Sequence, residues 1–451
     1  MGTGIIENIA SLTSGGNDPF YLYSGKIIEI LKSPDLESAG KFRSVLKKTL
    51  SLITTRYGIQ GAINFLRHYE ISTGKRKPSL AIYDHAFHFI GGAQKYGLTI
   101  VKALKEKFDI TIIANRDVSS KDFLDWYGID LTGVKIKIVS IPYFEKRDTS
   151  HIDPSRIMKG TPNPFHIISR ESGNYDVFIN NSMLEMIFPL SLISIMVCHF
   201  PERRPQSYFY SDKYSYTVFN SKYAGSWIRK RWKYVPHKHL YPPVDMEIFK
   251  PGEKKEKIIL SVARLEEGGT KKQKEMATAF IILKKKFPDI SKGWKLIIAG
   301  GSTSENSYVQ ELKEIIKEAE DNTIELNINI SDSALKDLYK KASIFWHLCG
   351  LGQNDPAKVE HFGMTIGEAM QNRIAPIVFD GGGQKEIVDH GNSGYRVSSL
   401  NGFIMYTIKL IKDKELRNRF GDNAYNKSLQ FKRERFEKEV KQFFEKIIPG
   451  N

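Results

Sequence analysis

Lys257-Ile258-Ile259-Leu260-Ser261-Val262, then Met276 to Phe287, then Trp294-Lys295-Leu296-Ile297-Ile298-Ala299 before Gly300-Gly301: an apolar β-rich run, an amphipathic helical pattern, and a second apolar run closed by glycines. The alternation continues with a helix over Ser307 to Glu320, a strand over Thr323 to Ile328 and a helix over Ser333 to Lys341. Strands over Ser343 to His347, Ile374 to Phe379 and Gly394 to Val397 follow, with a helix over Met364 to Gln371 between the first two. Strands separated by helices of about 10–15 residues predict right-handed βαβ units and a parallel sheet.

The earlier half repeats the pattern. Strands are expected at Ser79 to Tyr83, Ile110 to Ala114, Val134 to Ser140, Asp176 to Asn180, Ser194 to Cys198 and Tyr216 to Asn220, with helices over Ala93 to Phe108 and Lys222 to Lys233. Between the halves stand Leu240-Tyr241-Pro242-Pro243 and Pro251-Gly252. Proline fixes its backbone and lacks a donor, so this stretch reads as an inter-domain linker. The expected organisation is a helical basic N-terminal extension (1–77), a first domain (78–240), a linker (241–252), a second domain (253–430) and a C-terminal helix (431–451) packing back on the first domain. Ligands of such sheets bind beyond the carboxyl ends of the strands, which predicts a site in a cleft between the domains.

Composition sets the outer limits. A chain of 451 residues exceeds what one hydrophobic core supports. Cys198 and Cys349 each sit inside an apolar run, far apart, which fits buried thiols in a reducing, cytoplasmic compartment and no metal-ligand spacing. Met1 to Gly16 lacks a secretory pattern, and the longest apolar run, Met186 to Cys198, contains Pro189 and is shorter than the ~20 residues that span a bilayer. The net charge of +16 attracts nucleic acid, anionic lipid or phosphorylated substrates, or simply keeps the chain soluble.

The sharpest chemical signal is Glu360-His361-Phe362-Gly363-Met364-Thr365-Ile366-Gly367-Glu368. Gly363 permits close backbone approach just before a helix, whose first-turn amides at Met364 and Thr365 suit an anion. Glu368 on that helix suits ribose hydroxyls, and Glu360 in the preceding loop suits hydroxyls of a sugar. Taken alone, the pair reads better as solvated glutamates on a capped surface helix.

The pair does not stand alone. With Ala369-Met370, Ile374-Ala375-Pro376-Ile377-Val378, Gly381-Gly382-Gly383-Gln384-Lys385-Glu386-Ile387-Val388, Gly391-Asn392-Ser393-Gly394-Tyr395 and, upstream, Leu260-Ser261-Val262-Ala263-Arg264 before Lys271-Lys272-Gln273, the stretch resembles the signature of glycosyltransferase family 4. The resemblance covers roughly residues 78–430. It implies two Rossmann-like doubly wound parallel-sheet domains of the GT-B type facing across a cleft, and an enzyme that moves a hexose from a nucleotide sugar with retention and without a metal. No Asp-x-Asp occurs in the sequence. The resemblance assigns Arg264 and a lysine, taken as Lys272 rather than Lys271, to the donor diphosphate, and Glu360, Phe362, Gly363 and Glu368 to the rest of the donor. Fixed cations aimed at the charge gathering on a leaving diphosphate lower its barrier.

In the first half, Gly91-Gly92 occupies the family's glycine pair, and His199 in His199-Phe200-Pro201 matches its active-site histidine, which contacts the transferred sugar. His199-Phe200-Pro201, Asn220-Ser221-Lys222-Tyr223, Tyr241-Pro242-Pro243-Val244-Asp245 and Glu360-His361-Phe362-Gly363 are most similar to the eukaryotic mannosyltransferases that elongate lipid-linked oligosaccharides on a cytosolic membrane face. GDP-mannose is therefore the expected donor, a UDP-sugar the other reading, and a lipid-linked oligosaccharide or another glycan the expected acceptor; no further cofactor is implied. Two rival readings stand beside this one. One is a phosphorylase-like or epimerase enzyme on the same architecture. The other is a nucleic-acid-binding protein, for which Trp227-Ile228-Arg229-Lys230-Arg231-Trp232-Lys233 and His237-Lys238-His239 interleave cations with aromatics. The basic stretch Gly40 to Tyr69 suits peripheral contact with a membrane surface, or equally a helix packed on the first domain or in a dimer interface.

Overall fold

The computed structural model describes residues 7, 9–11, 20–32, 42–145, 162–203, 208–250, 252–302, 306–317 and 322–448. Most of the N-terminal stretch read for a leader, Gly40 and Lys41, Pro251 and the end of the helix expected to reach Glu320 lie outside them. The chain folds into two units. The first holds residues 1–219, 228–238 and 437–451, and the second holds 220–227 and 239–436.

Six strands of the first unit run parallel: β1 (Ser79–Tyr83), β2 (Asp109–Ala114), β3 (Lys135–Ile138), β4 (Val177–Asn180), β5 (Ile193–Cys198) and β6 (Tyr216–Phe219). With the two-residue β7 (Lys238–His239) their order is β3-β2-β1-β4-β5-β6-β7. β4 and β5 are buried at every residue, as strands covered on both faces must be, and so they read as continuous apolar runs.

Two helices precede this sheet, α1 (Phe20–Leu31) and α2 (Phe42–Ser72), and share a small core of Ile27, Ile28, Leu31, Val45, Ile53 and Phe65. Gly58 breaks α2 with φ 70 and ψ −176 and resets its helical phase. The apolar face expected to run from Phe42 to Leu66 is therefore interrupted: Val45 and Ile53 are buried, while Ile59, Ile63 and Leu66 are exposed. The second half of α2 is fixed by polar contacts to backbone carbonyls, Asn64 donating to Leu190 at 3.0 Å and Arg67 to Gly173 at 2.6 Å. Arg76 forks onto buried Asp176 at 2.5 and 2.7 Å. α3 (Gly92–Leu104) joins β1 to β2.

The second unit repeats the plan with β8 (Ile258–Val262), β9 (Lys295–Gly300), β10 (Ile324–Ile328), β11 (Ile344–His347), β12 (Ala375–Phe379) and β13 (Tyr395–Val397), all parallel, in the order β10-β9-β8-β11-β12-β13. In both sheets the order runs outward from the first strand in one direction and then reverses, between β1 and β4 and between β8 and β11. That reversal is where a doubly wound sheet opens a crevice for ligands. The helices α4 (Gln273–Lys286), α5 (Asp332–Lys341) and α6 (Met364–Gln371) carry or flank the residues that follow the strands.

The proline stretch between the halves is packed into the second unit. Gln371 accepts from the Met246 amide at 2.8 Å, and Asn372 accepts from those of Ile248 and Phe249 at 3.0 Å. Side chains at the end of α6 supply the partners that a sheet or helix would otherwise give. The last helix, α7 (Arg433–Ile447), gives its later residues to the first unit, where Phe444 meets Phe108 edge-on and Lys107 pairs with Glu445 at 2.7 Å.

Candidate functional site

Each parallel strand delivers its next residues to the carboxyl edge of its sheet, so the residues after β8 and β11 fall beside the reversal of the second unit. β8 and β11 pair through Ile259↔Ile344 and Leu260↔Phe345. Arg264 follows β8, and His347 closes β11. Gly300, at the end of β9, is needed there because a Cβ would lie 1.9 Å from the Ala263 carbonyl oxygen.

Glu360 is the centre of the polar cluster. Its Oε2 accepts from Lys271 Nζ at 2.7 Å and from His347 Nε2 at 2.8 Å. Burial alone would push this carboxyl up, but the Lys271 cation and the His347 bond outweigh it and hold it well below the usual range. Lys271 is raised in turn: burial opposes its charge, and Glu360 more than restores it. The loop is held from below by Gly381-Gly382-Gly383. The Gly383 amide donates to the Glu360 carbonyl at 2.8 Å, and Cβ atoms on Gly382 and Gly383 would come within 2.2 Å of the Glu360 and His361 oxygens.

Gly363 sits at the N-cap of α6 with φ 110, which a larger residue resists, and frees the amides of the first turn. Further along α6, Glu368 is buried, and its Oε2 accepts from Tyr339 of α5 at 2.9 Å.

The sequence-derived residues separate into distinct roles. Arg264 is 54% exposed at its side chain and pairs with Glu266 at 2.7 Å. Lys272, with φ 66 at the N-cap of α4, turns to Glu275 at 2.9 Å, so Lys271 and not Lys272 reaches Glu360. The Phe362 side chain is core, packed between Tyr241 and Phe431. Met364 packs partly against the same cluster, and Thr365 is half-buried in the first turn of α6.

In the first unit the Gly91 amide donates to Tyr127 Oη at 2.8 Å, and Gly92 opens α3. His199 follows β5, its amide on Met183 Sδ at 3.0 Å and its ring edge-on to Tyr96. Sequence reasoning missed the buried network at the β1–β4 reversal. There Asp84 accepts from Asn181 at 2.6 Å, Gln94 at 3.2 Å and the Ala86 amide at 2.8 Å. It also missed Glu185, buried after β4, whose carboxyl burial pushes up to about 8. No motif marks these residues; only the pairing of Tyr83 with Asn180 in register brings the two strand ends together. His347 was hidden in the same way, as the last letter of an apolar strand.

His347, Cys349 and Glu360 place their donor atoms within 4.8 Å of one another, the one such grouping found among the described residues. Lys271 already occupies the carboxylate, and burial raises the Cys349 thiol to about 12, so the grouping as it stands suits a held carboxylate better than a cation. Both cysteines are free and buried. Among the described residues no helix is long and apolar enough to cross a membrane. The basic aromatic run is partly structural: Trp232 is buried, with its indole N–H on the Glu202 carbonyl at 3.2 Å, and Arg231 donates to Pro201 at 2.6 Å.

Residues 244–427 match the family described as glycosyl transferases group 1. No curated protein matches the sequence at a significant level. Solved structures do. HepE from Anabaena, in complex with UDP and glucose, is 15% identical with a TM-score of 0.61, over 82% of this chain and 100% of that one. A glycosyltransferase from Rickettsia africae is 16% identical with a TM-score of 0.62, over 83% and 100%. Sucrose-phosphate synthase from Thermosynechococcus elongatus is 13% identical with a TM-score of 0.59, over 83% and 100%. At these identities the likeness is one of fold: two parallel-sheet α/β units of the GT-B type with a helical N-terminal region.

Proposed function

We propose that this chain, whose second unit is a group 1 glycosyl transferase domain, is a retaining, metal-independent glycosyltransferase that moves a hexose from a nucleotide sugar to an acceptor hydroxyl. The observation that carries the reading is the contact of Lys271 with Glu360 beside the β8–β11 reversal, with Arg264 in the segment after β8. A cation suited to a diphosphate beside a carboxylate suited to the sugar that the diphosphate carries supports the reading.

In this reading Arg264 and Lys271, with Lys272 beside them in the chain, receive the negative charge that gathers on the departing nucleoside diphosphate. Fixed cations at that position need no reorganisation when the bond breaks. The first-turn amides after Gly363 add partial positive charge. Glu368 accepts from the ribose and Glu360 from the sugar; by the resemblance, His199 contacts the transferred sugar, and Gly91 and Gly92 meet the donor diphosphate or the acceptor. The acceptor hydroxyl attacks on the face the diphosphate leaves, and a phosphate oxygen takes its proton, so neither glutamate forms a covalent intermediate.

The donor is GDP-mannose by resemblance to the lipid-linked-oligosaccharide mannosyltransferases, while HepE was captured with UDP and glucose. The acceptor is a lipid-linked or free glycan, met in the cytoplasm at a membrane surface. Exposed Ile59, Ile63 and Leu66 near Arg56 on α2 support that contact. A ligand that binds only the native state raises its melting temperature. A thermal-shift panel of GDP-mannose, UDP-glucose and free nucleoside diphosphates therefore tests the reading; a panel without any shift rejects it.

A further inference from the structure

Both donors to the Glu360 carboxylate engage one oxygen, Oε2, and leave Oε1 outside either bond. The two donors differ in what else they are free to do. Lys271 has a flexible stem, is 20% exposed at its side chain, and stands among the cations suited to the diphosphate. A bound donor therefore competes with Glu360 for the Lys271 ammonium. His347 has no such second task. It ends β11, is 1% exposed, and its ring lies parallel to that of Phe345.

To donate to a carboxylate, His347 Nε2 must carry a hydrogen. In the neutral ring Nδ1 is then an acceptor, and Nδ1 is buried without a hydrogen-bond partner. An unsatisfied buried polar atom costs about 1–3 kcal/mol. An apolar residue would fill a strand-end position in this core without that cost, so packing is a poor reason for a histidine here. The bond from Nε2 to Glu360 is the gain that offsets it.

We propose that His347 is a positioning residue of the transfer reaction: it fixes Oε2 of Glu360 when Lys271 turns to the diphosphate, so that Oε1 meets the transferred sugar. The proposal rests on the glycosyltransferase reading and adds to it a residue that touches neither phosphate nor sugar. Its effect is confined to the half of the donor that Glu360 grips. It predicts a defect that depends on the sugar being attached to the nucleotide.

The test compares His347→Phe with His347→Gln, whose amide retains a donor near the place of Nε2. Calorimetry with nucleotide sugar and with free nucleoside diphosphate is set beside steady-state transfer and a melting curve. His347→Phe is expected to lower kcat about 100-fold and weaken nucleotide-sugar binding several-fold, with nucleoside diphosphate affinity within about twofold and an unchanged or higher melting temperature. His347→Gln is expected to recover most of the loss. Wild-type kcat in His347→Phe, equal losses for nucleotide and nucleotide sugar, or no rescue by a folded His347→Gln overturns the proposal. Should His347→Phe fail to fold, His347→Asn, too short to reach Oε2, is read against His347→Gln by the same criteria. A wild-type chain that binds no nucleotide sugar overturns the glycosyltransferase reading instead, and this proposal with it.

Discussion

Tyr339 Oη lies 2.9 Å from Glu368 Oε2, and the tyrosine has no exposed surface. The bond joins α5 to α6 and orients a buried carboxylate. Burial and the Glu368 charge push the phenol well above its ordinary range, so it stays a donor at every working pH. Tyr339→Phe removes the donor and leaves a buried oxygen one bond short. It should cost about 1–3 kcal/mol of stability and raise the donor KM several-fold with kcat little changed. Urea unfolding and steady-state kinetics check both.

Adjacent lysines give different outcomes. Lys271→Ala removes one of the two partners of Glu360 and should lower kcat/KM by about 100-fold or more, whereas Lys272→Ala loses a partly exposed pair with Glu275 and should cost less than about tenfold. Arg264→Ala should match Lys271→Ala in transfer without a change in melting temperature, because its side chain is half exposed. Parallel kinetics on the three variants decide which cations face the diphosphate; equal, small effects from all three would remove the clamp.

Glu360 calls for a conservative substitution. Glu360→Ala strands the Lys271 cation and should destabilise the second unit by about 3 kcal/mol besides abolishing transfer. Glu360→Gln keeps the shape and should lower kcat about 100-fold with a smaller stability loss. Melting curves run beside the assays separate the two effects, and near-normal turnover in Glu360→Gln would reject the assignment.

His68, buried between α1 and α2, links stability to pH. Burial, then Lys32, lower its pKa to about 4 against the opposing pull of Asp176, while its Nδ1 meets Ser24 Oγ. Below its ordinary value of 6.5 the unfolded chain binds a proton that the folded one refuses. The contribution is complete above pH 6.5, falls as pH drops toward about 4, and amounts to at most about 3 kcal/mol. His68→Gln should flatten the slope of unfolding free energy between those limits; an unchanged slope contradicts it.

The parts of the fold that are local could be read from the sequence. Strands such as Ile258–Val262 and the helices between them announce themselves by periodicity, and the two glutamates by their spacing. Strand order did not, because the β8–β11 pairing joins segments far apart in the chain. His347 became visible only through its contact with Glu360 in the loop that follows β11. The choice between Lys271 and Lys272 was set by backbone turns, with positive φ at Gly268, Gly269 and Lys272 sending neighbouring side chains apart. The prolines between the halves were plain, but the Gln371 and Asn372 contacts that bind this stretch to α6 were not. Gly58, which ends the apolar phase of α2, shows in the sequence as a glycine but not as the change of helical phase that its backbone imposes.

The glycine triplet at 381–383 invites comparison with a phosphate cradle, yet Gly382 and Gly383 lie against the backbone of Glu360 and His361, and Gly381 lies against the Phe379 ring. A side chain at 382 or 383 would thus displace the neighbouring loop by its main chain, and the Glu360 carboxylate with it. A screen for inactive clones would flag those two glycines as a reaction centre, although their effect would run through the position of Glu360.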